Sequence, residues 1–120
     1  MPSALEMFVT MREDLSATDL TVLKREVRAH YEGLLAAQKK NELVAIDLGE
    51  MLCTRLEGLL AMAHLLDTER RADVVGAARY FIFSADEKPD DLSCTGLDDD
   101  VEIFNHVAKL LARPDLVITD

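Results

Sequence analysis

The stretch from Glu42 to Leu66, ELVAIDLGEMLCTRLEGLLAMAHLL, decides the fold. Val44, Leu48, Met51, Leu52, Leu56, Leu59, Leu60 and Ala63 recur every three or four residues, the spacing that gathers side chains on one side of an α-helix. The stripe is wide, and Leu43, Ile46, Leu59, Leu60, Met62 and Leu65 make the helix apolar over more than that one face, the surface a dimer would use. A helix apolar over more than one face is either surrounded by other helices or covered by a second copy of the chain. The sequence therefore predicts a central helix here, with a homodimer through this helix as the competing expectation.

Toward the amino end, Leu20, Leu23, Val27, Tyr31 and Leu34 form a second helical series, with Lys24, Arg25, Arg28 and Glu32 outside it. Ser16 or Thr18 suits its N-cap. The polar run Gln38-Lys39-Lys40-Asn41 separates it from the central stretch. Ser3 to Met11 predicts a short helix contacting the rest through Leu5, Phe8 and Val9, within a terminal segment, residues 1–17, that is apt to fray.

Toward the carboxyl end, Asp67-Thr68-Glu69 pairs a capping residue with an acid in the first turn. The helix it opens is expected to run to about Phe83 and to bury Val74, Val75, Ala78, Phe81 and Ile82. Residues 84–97, with Pro89, Ser93 and Gly96 among acids, read as a loop. Asp98-Asp99-Asp100 then starts a last helix burying Val101, Phe104, Val107, Leu110 and Leu111 and stopping before Pro114. Asp115 to Asp120 is a tail, extended or without fixed structure. Gly33, Gly49, Gly58 and Gly76 fall inside helices, where each costs about 1 kcal/mol relative to alanine, so close helix–helix approach is their expected purpose. The expected fold is all-α: one helical domain over residues 1–120, a compact bundle of four to five helices with an acidic loop before the last.

Composition agrees. Of 120 residues 49% are hydrophobic, enough for a core without disulfides or metal, while aromatics are 5% and tryptophan is absent. The net charge of −10, from 23 acidic and 13 basic residues, disfavours nucleic acid and anionic membrane surfaces and favours a basic protein or peptide partner. No apolar run reaches the roughly 18 residues of a membrane span, and Met1 to Met11 lacks the pattern of a secretory signal. Cys53 and Cys94 stand far apart without a CxxC spacing, as expected of free thiols in a cytoplasmic protein.

Charge concentrates at one place. Asp86, Glu87, Asp90, Asp91, Asp98, Asp99, Asp100 and Glu102 lie within seventeen positions, opposed by Lys88 alone. Such crowding is destabilising unless caps, basic groups or a hard cation answer it. Asp86-Glu87-Lys88-Pro89-Asp90, followed by Gly96 and Asp99-Asp100, resembles the signature of the YkvA-like bacterial domains of unknown function. That signature is an acid, two residues, Pro-Asp, a second proline, a glycine, and a paired Asp-Asp opening a helix. The preceding Ala78-Arg79-Tyr80-Phe81 is similar in character, so the resemblance covers Ala72 to Leu111. Lys88, Ser93 and Asp98 depart from it, standing where the family has an aliphatic residue, a proline and an apolar residue. The resemblance implies a helical fold and brings no established activity.

Asp86, Asp90, Asp91, Asp99 and Asp100 are accordingly the candidate binding residues, for a basic partner or, alternatively, for calcium or magnesium. The spacing lacks the regular acids and central glycine of an EF-hand. Glu26 with His30 and Glu102 with His106 share helix faces, but at a spacing of four rather than the three of the di-iron bundle motif. Cys53 and His64 lie about 16 Å apart along one helix, too far to cooperate. No phosphate loop, nucleophile elbow or HExxH is present. The sequence thus points to a non-enzymatic interaction or regulatory module, an immunity-type inhibitor for example, with a divalent-cation-binding domain as the alternative.

Overall fold

A computed structural model describes residues 3–38, 46–87 and 98–118. Its helices are α1 (Ala4–Met11), α2 (Ala17–Gln38), α3 (Ile46–Met62), α4 (Thr68–Glu87) and α5 (Asp98–Leu110), with 3₁₀ turns at Ala63–Leu65 and Pro114–Leu116. No strand occurs among the described residues, so the fold is the all-α bundle expected. Three helices start where a side-chain oxygen accepts an otherwise unpaired backbone N–H. Ser3 Oγ accepts from Glu6 (3.2 Å), Ser16 Oγ from Asp19 (3.3 Å) and Asp67 Oδ1 from Arg70 (2.8 Å).

The centre of the bundle is α4, which corrects the expectation for the 42–66 stretch. α4 packs against α1, α2, α3 and α5, and Val74, Val75, Ala77, Ala78, Tyr80, Phe81 and Ile82 are all buried. α3 packs chiefly on α2, ends at Met62, and tightens into the 3₁₀ turn that leaves Leu65 75% exposed. The sequence concealed this because α4 also carries Arg70, Arg71, Asp73 and Arg79, which dilute its apolar pattern. Those charges meet opposite charges, so they do not prevent burial. Leu59 and Leu60 are buried within the chain, which removes them from the surface proposed for a dimer; Met51 stays 37% exposed.

Other boundaries shift for local reasons. α4 runs on to Glu87, so Asp86 belongs to a helix and not to the loop. On α5 the buried face is Ile103, Phe104, Val107 and Ala108, while Leu110 is 40% exposed and Val101 and Leu111 are half-buried. In α2 the expected series Leu20, Leu23, Val27, Tyr31 and Leu34 is buried throughout. Of the helical glycines, Gly76 alone among those with defined surroundings meets another element: a Cβ there would lie 2.8 Å from Phe8 Cε1, whereas Gly33 and Gly58 face open space.

From Leu111 to Ile118 the chain is tied back to the bundle. Ala112 takes a left-handed conformation (φ 57°), and Arg113 and Ala112 N–H groups donate back to Ala108 (2.9 Å) and Lys109 (3.1 Å), a Schellman closure. Arg55 Nη1 donates to the Leu116 carbonyl (2.6 Å), joining α3 to the final turn. Asn105 then takes both backbone groups of Ile118: its Nδ2 donates to the carbonyl (3.0 Å) and its Oδ1 accepts from the N–H (2.7 Å). Ile118 is buried as a result, 7% exposed.

Candidate functional site

The charges of α4 are answered by the short connection between α1 and α2. Arg12, Glu13 and Asp14, one base followed by two acids, each reach a charge of opposite sign on α4. Arg12 Nε donates to Asp73 Oδ1 (2.6 Å) and its Nη2 to Glu69 Oε2 (2.8 Å); Arg70 Nη1 forms an ion pair with the other Asp73 oxygen (2.9 Å). Glu13 accepts from Arg79 Nη2 (2.8 Å), while Arg79 Nη1 donates to the Met11 carbonyl (3.1 Å). Asp14 pairs with Arg71 Nε, and Arg71 also donates to the Leu66 carbonyl (2.9 Å). That hydrogen bond from Arg71 holds the Asp14 carboxyl below its ordinary value. Phe8 fills the space over Gly76 and stands edge-on to His106, ring centres 5.8 Å apart. Phe8 and residues 12–14 thereby join the amino-terminal segment to the bundle.

This strap forms one wall of an open cleft of about 410 Å³ between α2 and α4. Leu15, Val22, Leu23 and Phe83 supply its apolar surface, and Glu13, Asp19, Glu26 and Arg79 its polar rim. Val22 is 46% and Phe83 44% exposed, although each belongs to a helix whose other large apolar residues are mostly buried. Glu13 is neutralised by Arg79. Asp19 and Glu26 have no ion-pair partner among the described residues, so the cleft keeps a net negative rim. The opposite side of α2 differs: there Lys24, Arg25 and Arg28 border a second hollow with Glu32 and Glu57, and Arg28 Nε donates to Glu57 Oε2 (3.1 Å).

The candidates read from the sequence are only partly placed. Asp90 and Asp91 lie outside the described residues, as do Lys88, Pro89, Ser93, Gly96 and Cys94, and of Asp86 only its position in α4 is defined. Asp99 is half-buried and Asp100 is 3% exposed in the first turn of α5, which sets Asp100 inside the bundle. Among the described residues no three His, Cys, Asp or Glu side chains stand close enough to hold a metal ion. His30 lies edge-on to Phe81 (ring centres 4.8 Å), while Glu26 sits at the cleft rim. Cys53 is fully buried, and desolvation pushes its thiol up to about 11, as befits a small core residue. None of the described helices is long and apolar enough to cross a membrane.

Comparison of the chain with family models, with curated proteins and with solved structures found no match. Sequence reasoning missed the cleft because its residues belong to no motif. The available signal was negative: Val22 and Phe83 are large apolar residues that fit neither helix's buried series.

Proposed function

We propose that this protein is a non-enzymatic interaction module that receives a basic partner in the α2/α4 cleft. The observation carrying this reading is the combination of exposed Val22 and Phe83 with the uncompensated rim acids Asp19 and Glu26. Apolar contact supplies affinity and the carboxylates supply selection against acidic partners. A net charge of −10, including the acidic run from Asp86 to Asp100, adds a field that speeds encounter with cations. The YkvA-like resemblance fits a helical module without specifying its partner.

Calorimetry with a panel of lysine- and arginine-rich peptides tests this. Affinity should fall as salt rises, and Asp19→Asn with Glu26→Gln should weaken it severalfold. Binding that survives those changes but is lost in Asp90→Asn with Asp99→Asn moves the contact to the acidic run from Asp86 to Glu102. Absence of salt-dependent binding across the panel refutes the reading.

A further inference from the structure

Resting on that reading, we propose that the occupant of the cleft is a single basic amphipathic helix lying along α2. It would set one large apolar residue against Val22 and Phe83, between two lysines or arginines seven positions apart that meet Asp19 and Glu26.

The argument is one of spacing. Asp19, Val22 and Glu26 stand at i, i+3 and i+7, so they form a row on one face of an unbroken helix. At ~1.5 Å per residue the two acids are about 10.5 Å apart along the axis, with Val22 between them. A partner helix repeats a face every seven residues, again about 10.5 Å, so its two bases and the apolar residue between them match the row. An extended peptide does not match. Its same-face residues fall at multiples of about 6.7 Å, and a step of three residues, from i to i+3, which nearly spans the distance, puts its two ends on opposite faces. Phe83 from α4 closes the far side of the row, while Leu15 and Leu23 contribute the other apolar contacts. A cleft of about 410 Å³ takes the few side chains on one helix face. Arg79 does not oppose a cationic guest, because Glu13 and the Met11 carbonyl already hold its guanidinium.

The test uses the full chain and two alanine-based peptides of about 16 residues, long enough to form a helix. One carries lysines seven apart with leucine and phenylalanine between them; the other has the same composition scrambled so that no face collects them. The proposal expects the patterned peptide to bind at least about tenfold more tightly and to gain helical circular dichroism on binding. Phe83→Ala and Val22→Ala, both at half-exposed positions, should each remove most of that difference while the melting temperature stays near that of the parent. Equal affinity for both peptides overturns the helix assignment and leaves the basic-partner reading standing. Failure of both at low salt overturns the two together. Light scattering that shows a dimer separated by Phe83→Ala also overturns the proposal, since a second copy then fills the cleft.

Discussion

Arg12 Nε donates to Asp73 Oδ1 across 2.6 Å, joining residues sixty-one positions apart and fixing α1 to the most enclosed helix of the bundle. Asp73 is 2% exposed, and its second oxygen makes no hydrogen bond but lies 2.9 Å from Arg70 Nη1 as an ion pair. Removing Arg12 would leave a buried carboxylate half-compensated, and such losses are strongly destabilising. Arg12→Ala should therefore lower stability by about 2 kcal/mol, below the usual range for a broken buried pair because Arg70 remains. Arg12→Met with Asp73→Leu should recover most of the loss, since an apolar pair needs no compensation. Urea unfolding of the parent and these two variants measures both effects.

Gly76 and Phe8 are matched in shape. Alanine at 76 would bring its Cβ to 2.8 Å from Phe8 Cε1 and 3.0 Å from Arg12 Cγ. Gly76→Ala should accordingly destabilise by about 1–3 kcal/mol despite the better helix propensity of alanine. With Phe8→Ala already in place the ring is gone, and the same change should become less harmful or stabilising. A double-mutant cycle by thermal unfolding reads that coupling.

Ala112 closes α5 in a left-handed conformation that side chains disfavour by roughly 1–2 kcal/mol. Ala112→Gly should raise stability by about 1 kcal/mol, and a rise in the urea midpoint without change of slope would show it.

The Asp14–Arg71 pair gives the strap a pH dependence. Arg71 holds the folded-state pKa of Asp14 below the ordinary value of 3.8. Its contribution is thus complete above the unfolded-state pKa and is lost as pH falls through the lower folded-state value. Asp14→Asn should melt earlier than the parent near neutral pH, and the gap should close only below about pH 4. A gap unchanged down to pH 2 would contradict the assignment.

Helices were legible where burial is one-sided. The α2 series Leu20 to Leu34 alternates cleanly with charge, so periodicity alone exposes its face. α4 was legible in its core residues but not in its rank, because Arg70, Arg71, Asp73 and Arg79 look like a solvent face until Arg12, Glu13 and Asp14 are seen against them. Ion pairs between residues some sixty positions apart leave no periodic trace. The acidic run from Asp86 to Glu102 was conspicuous because like charges are adjacent in sequence. The cleft was not, because Val22, Glu26 and Phe83 come together only after α2 packs on α4.

The most direct measurement for the central claim is an NMR titration of the chain with the patterned basic peptide. The cleft assignment predicts the largest amide shifts at Leu15, Asp19, Val22, Glu26 and Phe83, with little change at Asn105 and Arg113. Shifts centred instead on the first turn of α5 and the acidic residues before it, with the cleft undisturbed, would contradict it.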